Sequence, residues 1–401
     1  MNQINTIMIL LKCVALCMDF SEVIGLEHIK SHLKATLQKG RVAHAQLFEG
    51  ISGSGLLPLA LAYAKEILCS HHEEGSEAFE RCANNVANFS HPDLHFTYPV
   101  NTTDTVKKNP VSSAFAEEWR NFVSENPYGS LFDWFQLLGI ENKQGNISVK
   151  EAEEISKKLA LKAYEGGYKI MIIWMADKMN TECANKILKL VEEPPDKTVL
   201  ILLSEHDERI INTIRSRCQT LHIPLLSERD ISDTLVKNHG ISEPIARKTS
   251  RQAHGDLNKA LHIIAKNSED AIFEEWFVQW VRSAFKAKGN KKSIQELLHW
   301  SDMMAAKGRE TQKNFLLYCM ELFRQALLKN YRADSLIFFE TTISKFSIEK
   351  FAPFVHQNNI YQIIEALEEA AYHIERNGNA KIIFADLSIQ LTRLIHKKEL
   401  V

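Results

Sequence analysis

The sequence predicts an α/β fold followed by all-α domains. In the first half, short apolar runs of strand length alternate with longer amphipathic stretches. This alternation is typical of a parallel sheet that is covered by helices on both faces. From residue 226 to the end, the apolar spacing is helical. With 401 residues, the chain is long enough for two or three domains with separate cores.

The α/β domain is expected at residues 19–225, where helices and strands follow one another along the chain. The predicted helices are Glu27–Gln38, Leu56–Cys69, Ser148–Tyr164 and Asn180–Glu193, and the predicted strands are Ala45–Glu49, Leu94–Tyr98, Ile170–Trp174, Thr198–Leu203 and Gln219–Ile223. Ser148 and Glu151 have the spacing of a capping box. We therefore expect both side chains to satisfy backbone N–H groups where the third helix begins.

Two helical domains are expected after the sheet, a small one at residues 226–268 and a larger one at 269–401. Ser227 and Asp230 have capping spacing and open the small domain. Its predicted helices are Ser227–Asn238, Glu243–Ala253 and Asp256–Lys266, and those of the larger domain include Phe273–Phe285, Gln312–Leu328, Ile360–Arg376 and Lys381–His396.

An insert rich in aromatic residues interrupts the α/β domain at about residues 101–146. Three of its aromatic side chains fall on one helical stripe and three more follow a turn, and these are Phe115, Trp119, Phe122, Phe132, Trp134 and Phe135. We favour the interpretation that they pack a helical hairpin against the domain. The alternative is a docking surface for a partner, since aromatic residues are common anchors in interfaces.

The composition is that of a soluble globular protein, with 45% hydrophobic and 24% charged residues. A net charge of −2 gives no broad electrostatic reason to bind DNA. The seven cysteines are odd in number and scattered, which favours a reducing, cytoplasmic compartment over a disulfide framework.

The first eighteen residues form a mostly apolar stretch that Lys12 interrupts. No small-residue cleavage site follows clearly, so the evidence for a signal peptide or a membrane anchor is weak. We expect residues 1–18 to be an extension or a disordered tail with Met18 as the natural start, and we expect no membrane role.

The segment from Gly50 to Leu57 has the glycine frame of a phosphate-binding loop, with glycines also at positions 53 and 55. In a working loop, backbone N–H groups cradle the phosphates, a lysine neutralises them and a hydroxyl residue holds Mg²⁺. Leu56 and Leu57 stand at those last two positions and can do neither. A plain glycine-rich turn is the alternative for Gly50, Gly53 and Gly55.

The acid that such proteins place at the end of a neighbouring strand is also missing. The third predicted strand is followed by Trp174 and Met175 rather than by a carboxylate that could hold metal and polarise water. Asp177 lies beyond the expected strand end, so it is poorly placed to substitute.

Three further segments carry a family resemblance, namely Asn185–Pro195, Thr198–Ser204 and Ile214–Cys218. They resemble the clamp-loader branch of the AAA+ ATPases. Together with the altered loop and Trp174-Met175, they are similar to the delta-prime subunits of bacterial DNA polymerase III. The resemblance runs from about Phe20 to Ile223, continues through the motif that begins at Gly255, and fades in the last third. It implies a AAA+ sheet domain, a helical lid and a C-terminal oligomerisation collar.

The same resemblance implies a non-catalytic stator that binds no nucleotide cofactor. Delta-prime subunits supply an arginine from a Ser-Arg-Cys motif to the ATP site of the adjacent subunit, and Ser216, Arg217 and Cys218 match that motif. Arg217 is thus the expected arginine finger, and Arg215 is the weaker candidate. In the lid motif, Asn258 stands where an arginine would face the nucleotide, and Lys259 is rotated about 100° from it around the helix.

The implied partners are the ATPase and delta subunits of a clamp loader, the sliding clamp through the complex, and primer–template DNA indirectly or locally. Another hypothesis remains open. An independent AAA+ ATPase or nucleotide switch would bind phosphate through the amides of Gly53 and Gly55 despite the missing side chains.

Members of the family often carry a four-cysteine zinc module just before a His-Pro-Asp segment, which here is His91-Pro92-Asp93. The corresponding region has only two cysteines, with several histidines nearby, and these residues are Cys69, Cys82, His71, His72, His91 and His95. Structural zinc sites need four closely spaced ligands. We therefore expect no metal and assign no ligands.

Overall fold

The computed structural model describes residues 19–140, 143–265, 269–288, 290–333, 337 and 346–397. The predictions made for residues 1–18 lie outside these ranges. The described chain divides into two compact units whose boundary falls near residue 265. The first unit holds the sheet, the insert and the lid helices, and the second holds the C-terminal helices.

The first unit is built on a five-stranded parallel sheet with the order β2-β3-β4-β1-β5. Its strands are β1 (Ala45–Glu49), β2 (Leu94–Thr97), β3 (Lys169–Ile173), β4 (Thr198–Ser204) and β5 (Gln219–His222). All four pairings are parallel. Each strand therefore lies within two residues of its predicted bounds, and the predicted parallel sheet is confirmed.

Helices cover both faces of this sheet because alternate strand residues enter two different cores. Phe48 and Ile172 pack into one cluster, whereas Leu47, Met171 and Ile173 pack into the other. The helices of this part are α1 (Glu27–Gln38), α2 (Leu56–Cys69), α3 (Glu77–Ala87), α4 (Ala116–Glu125), α5 (Leu131–Leu137), α6 (Val149–Ala160), α7 (Thr181–Glu192) and α8 (Asn212–Arg215). Burial on both faces explains the uninterrupted apolar runs of β3 and β4.

The capping box at the start of α6 was predicted wrongly. Ser148 makes no side-chain cap bond, and Glu151 instead accepts hydrogen bonds from the Ser112 N–H at 2.8 Å and the Thr97 hydroxyl at 3.3 Å. Burial raises the pKa of Glu151. The acid therefore fastens the insert to β2 rather than capping its own helix.

The predicted end of the same helix was also wrong, because α6 stops at Ala160 rather than near Tyr164. The Lys169 ammonium, at the start of β3, donates to the carbonyl oxygens of Leu159 and Leu161. These carbonyl groups at the helix end are thus satisfied by a residue of the next strand.

The lid consists of α9 (Glu228–His239), α10 (Glu243–Ala253) and α11 (Leu257–Ile264). The predicted cap is confirmed, since the Asp230 N–H donates to the Ser227 hydroxyl at 3.0 Å. The lid core also includes Tyr128 from the insert. The last helix was predicted to reach Lys266, but it ends at Ile264 with Ala265 as its C-cap.

The second unit is entirely helical in the residues that the structure describes. Its helices are α12 (Glu269–Lys286), α13 (Lys291–Ala305), α14 (Arg309–Asn330), α15 (Ile348–Phe351), α16 (Ile360–Glu375) and α17 (Ala380–Ile395). Its core contains a stacked pair of indoles, Trp280 and Trp300, with ring centroids 4.9 Å apart. In the described ranges, no helix combines the length and apolar character that crossing a membrane requires.

Candidate functional site

The loop between β1 and α2 keeps the shape of a phosphate-binding loop without its side-chain chemistry. It forms one short 3₁₀ turn, Ser52–Ser54, and reaches the helix through Gly55 at a φ of 97°. Leu56 and Leu57 are 0% and 2% exposed and belong to the main core. The positions that would hold lysine and a hydroxyl residue therefore point into the protein.

A carboxylate of the chain itself occupies part of the loop. Glu205, which follows β4, accepts hydrogen bonds through one oxygen from the Ser52 N–H at 2.9 Å and from the Ser52 hydroxyl at 2.7 Å. Backbone N–H groups of such loops are the donors that normally receive phosphate oxygens. The Glu205 carboxylate is thus an internal anion that satisfies one backbone donor of the loop.

The lid approaches the loop from the other side. Asp256 caps α11 by accepting from the Lys259 N–H at 2.9 Å, and a Cβ at Gly53 would lie only 1.7 Å from an oxygen of the Asp256 carboxylate. Burial raises the pKa of Asp256, and the charges of Glu205 and Asp133 act in the same direction. Acidic groups therefore surround the place where a polyphosphate would have to enter.

Tyr128 of the insert closes a third side of the loop. Its ring lies 3.3 Å from the position of a Cβ at Gly55, and its hydroxyl oxygen accepts from the Ile24 N–H at 3.0 Å. The side chain is 1% exposed. The insert thus packs against the loop at the residue that begins α2.

Asn258, at the altered lid position, is fixed in a polar network rather than left available to a ligand. It is 6% exposed, donates to the Asp133 carboxylate at 2.7 Å and accepts from the Asn126 amide at 3.1 Å. His262 lies 2.9 Å from the other carboxylate oxygen of Asp133. This network, which we call the lid latch, joins α11 to the insert through Asn126, Asp133, Asn258 and His262.

Charge and hydrogen bonding favour an ionised aspartate in the lid latch. Burial alone would raise the pKa of Asp133, but the hydrogen bond and charge of His262, with hydrogen bonds from Ser130, together hold this pKa below its ordinary value. The latch therefore contains a fixed negative charge at neutral pH.

The altered acidic site is part of the core. Trp174 and Met175 are 0% and 1% exposed, and the Trp174 ring lies 5.2 Å from that of Trp119 in the insert. Asp177 lies beyond the strand, in a 3₁₀ turn, where it pairs with Lys178 at 3.1 Å. The aromatic side chain at the strand end thus serves packing.

Arg217 lies on the outside of the domain, between α8 and β5. Its Nε pairs with a Glu192 oxygen at 2.6 Å, and its Nη1 donates to the Thr213 carbonyl oxygen at 2.9 Å. The side chain is 41% exposed. Its neighbour Cys218 packs against the core, and burial raises the pKa of this thiol to about 11. Cys218 is therefore an anchor for the segment rather than a reactive thiol.

Arg215, the weaker candidate, pairs within the domain. One of its Nη atoms lies 2.6 Å from the Asp207 carboxylate, and Ser216 beside it bonds the Thr213 carbonyl oxygen at 3.4 Å. Both arginines are exposed, so exposure alone does not decide between them.

The cysteine prediction was wrong in one respect, because Cys69 and Cys82 form a disulfide. Cys82 also lies close to His91 and Glu165. Burial lowers the pKa of His91, which favours its neutral form. Both sulfur atoms are engaged in the disulfide, and the expected absence of metal remains a prediction.

Sequence reasoning missed the groups around the loop, which are Glu205, Asp133 and Tyr128. In residue number, they lie 153, 81 and 76 positions from Ser52. A polar residue directly after β4 was the available signal for Glu205, because the ends of parallel strands meet at one edge of the sheet. No comparable pattern marks Tyr128.

The sheet order, the glycine loop after β1 and the helical lid define an α/β module with the frame of a phosphate-binding loop, and its own Glu205 occupies part of that loop. The family model described as "DNA polymerase III, delta subunit" matches residues 25–227, which is half of the chain. The chain therefore belongs to this family.

Curated relatives agree with this assignment. The chain is 26% identical over 359 residues to DNA polymerase III subunit delta' of Bacillus subtilis, covering 89% of this chain and 93% of that protein. It is 24% identical over 249 residues to DNA polymerase III subunit tau/gamma of Haemophilus influenzae, covering 61% of this chain and 30% of that protein.

Similar solved structures include the RuvB Holliday junction branch migration motor of Thermotoga maritima, at 13% identity and a TM-score of 0.39, with 80% of this chain and 83% of that chain covered. A DNA polymerase III gamma subunit-related protein from the same organism has 13% identity and a TM-score of 0.35, with 92% of this chain and 99% of that chain covered.

Proposed function

We propose that this chain is a non-catalytic stator of the DNA polymerase III clamp loader, which supports the loading of sliding clamps in DNA replication. It does not hydrolyse ATP itself. Arg217 completes the ATP site of the adjacent ATPase subunit, the C-terminal helices join the ring as a collar, and the proposed location is the cytoplasm. Its partners are the ATPase and delta subunits, the sliding clamp through the complex, and primer–template DNA indirectly or locally.

One observation carries this proposal. The chain's own loop is occupied by Glu205, whereas the guanidinium of Arg217 is exposed on the surface. A guanidinium is always charged, and its planar donors fit the charge that develops on a transferring phosphoryl group. An arginine supplied in trans can raise turnover by about 10³ to 10⁵.

The alternative of an independent nucleotide switch has less support. Such a switch would bind phosphate through the amides of Gly53 and Gly55, yet the Gly55 N–H already donates to the Ser52 carbonyl oxygen at 3.2 Å. The neighbouring Ser52 N–H already donates to a carboxylate. Asp256 adds a second acidic group beside Gly53. A polyphosphate would have to displace or neutralise these anions without a lysine to offset their charge.

Two measurements test the proposal. Titration calorimetry of the isolated chain with Mg·ATP should show no binding, and tight binding would favour the switch. In the reconstituted clamp loader, Arg217→Ala should assemble normally but lose at least about 100-fold in ATP turnover. Unchanged turnover by a fully assembled variant would reject Arg217 as the finger, and Arg215→Ala serves as the matched control.

A further inference from the structure

We propose that Glu192 is a positioning residue, which holds Arg217 in the orientation that the neighbouring ATP site requires. This inference rests on the proposed function of Arg217 as an arginine finger. It assigns a role to the last residue of α7, which is far from the chain's own loop in sequence and makes no contact with it in the described residues.

The guanidinium of Arg217 is held along one edge. Nε pairs with Glu192 at 2.6 Å, while Nη1 donates to the Thr213 carbonyl oxygen at 2.9 Å and to the Ser216 hydroxyl at 3.4 Å. Within the described ranges, the two N–H groups of Nη2 have no partner. A guanidinium has five N–H donors in a fixed plane. Contacts at Nε and Nη1 therefore leave the Nη2 donors as the pair that a phosphoryl group could take.

Glu192 can hold this position because its own backbone is anchored. The preceding Val191 is fully buried, and its carbonyl oxygen lies 3.0 Å from Nε2 of His44, the residue just before β1. The Pro194-Pro195 pair follows shortly after, and proline cannot extend a helix. The C-terminal end of α7 is thus fixed by the contact with His44, and the two prolines prevent the helix from continuing.

The ion pair between Glu192 and Arg217 is better suited to orienting the guanidinium than to keeping it away from a phosphoryl group. A restraining carboxylate would engage the Nη groups that a phosphoryl oxygen needs, whereas Glu192 binds Nε and leaves Nη2 available. An arginine side chain loses much conformational freedom when it is ordered. Since Glu192 and Thr213 order it before assembly, less freedom remains to be lost when the neighbouring site forms.

The test uses the reconstituted clamp loader with its ATPase partners, and assembly of each variant is checked by mass. Exposed ion pairs contribute modestly. Glu192→Ala should therefore lower kcat for ATP by about twofold to fivefold with KM unchanged, and Glu192→Gln, which keeps an acceptor oxygen, should recover part of this loss. Glu193→Ala, at the adjacent exposed position, should match the wild type.

A double-mutant cycle separates positioning from a general structural effect. In an Arg217→Ala background, Glu192→Ala should change nothing further. The inference is overturned if Glu192→Ala has no effect on its own, if it raises turnover, or if it lowers turnover equally in both backgrounds. Full turnover by Arg217→Ala alone would instead reject the proposed function, so the two failures are distinguishable.

Discussion

Leu56 shows how a single position converts a ligand-binding loop into part of a core. In a working loop the residue here would be a lysine that extends toward phosphate. Leu56 is fully buried among apolar side chains, so the first turn of α2 gains its stability from apolar burial rather than from a ligand. The position that would carry a phosphate-binding lysine in a working loop thus carries a core side chain here.

This arrangement predicts that restoring the lysine will not restore the site. Leu56→Lys should lower the free energy of unfolding by more than about 3 kcal/mol, because a buried ammonium would have no partner. Leu56→Met, which nearly conserves volume, should cost less than about 1.5 kcal/mol. Urea unfolding of both variants, together with Mg·ATP calorimetry, provides the check, and a stable Leu56→Lys protein that binds ATP would contradict the prediction.

At the scale of elements, the insert acts as a brace between the sheet and the lid. Its aromatic side chains are mostly buried, with Trp119 and Trp134 at 2% and 0% exposed, and the Trp134 indole donates to the Pro99 carbonyl oxygen at 2.9 Å. These contacts support the packing interpretation of the insert. Asp133, at the first turn of α5, then connects this brace to α11 through the lid latch.

The lid latch predicts a defined pH dependence. The pKa of Asp133 is lowered in the folded state, so its contribution to stability is complete above the unfolded pKa of about 3.9 and is lost as the pH falls through the lower folded value. At pH 7, Asp133→Asn should cost about 1.5 to 3 kcal/mol through lost charged hydrogen bonds.

Urea unfolding between pH 7 and pH 2.5 measures this effect. The stability difference between wild type and Asp133→Asn should narrow as the pH falls below about 4. Asp104→Asn, at an exposed position of the same insert, is the matched control and should leave stability within about 0.5 kcal/mol. A difference for Asp133→Asn that stays constant across the range would contradict the latch.

For the whole molecule, the important feature is that the sheet, insert and lid form one compact unit while the C-terminal helices form another. Each unit has its own apolar core. A unit with its own core is expected to fold independently. The lid, in contrast, shares Tyr128 and the latch with the rest of the first unit.

A truncation series tests this division. A fragment of residues 19–265 should unfold in one cooperative transition, with circular dichroism and tryptophan fluorescence giving coincident curves. A fragment of residues 19–225 should unfold at clearly lower urea, because it lacks both Asn258 and His262 as partners of Asp133 and exposes Tyr128. Equal midpoints for the two fragments would show that the lid contributes no stability to the first unit.

The predicted and observed elements differ where a distant residue intervenes. Strand β1 and helices α1, α2 and α10 have their predicted bounds, because their apolar periodicity is a local property. Helix α6 is shorter than predicted because Lys169 satisfies its last carbonyl groups. Glu151 does not cap α6, because its buried carboxylate accepts a hydrogen bond from the Ser112 N–H instead. Helices α3 and α13 were not predicted.

The sequence by itself determined the alternation of strands and helices, the glycine frame of the loop and the absence of lysine at position 56. These depend on residue type and on spacing over a few positions. Only the tertiary structure decided that Glu205 would bond to Ser52, 153 positions away, and that Glu192 would pair with Arg217. Such contacts depend on which strand and helix ends meet in space, and this is set by the packing of the whole unit rather than by any local pattern.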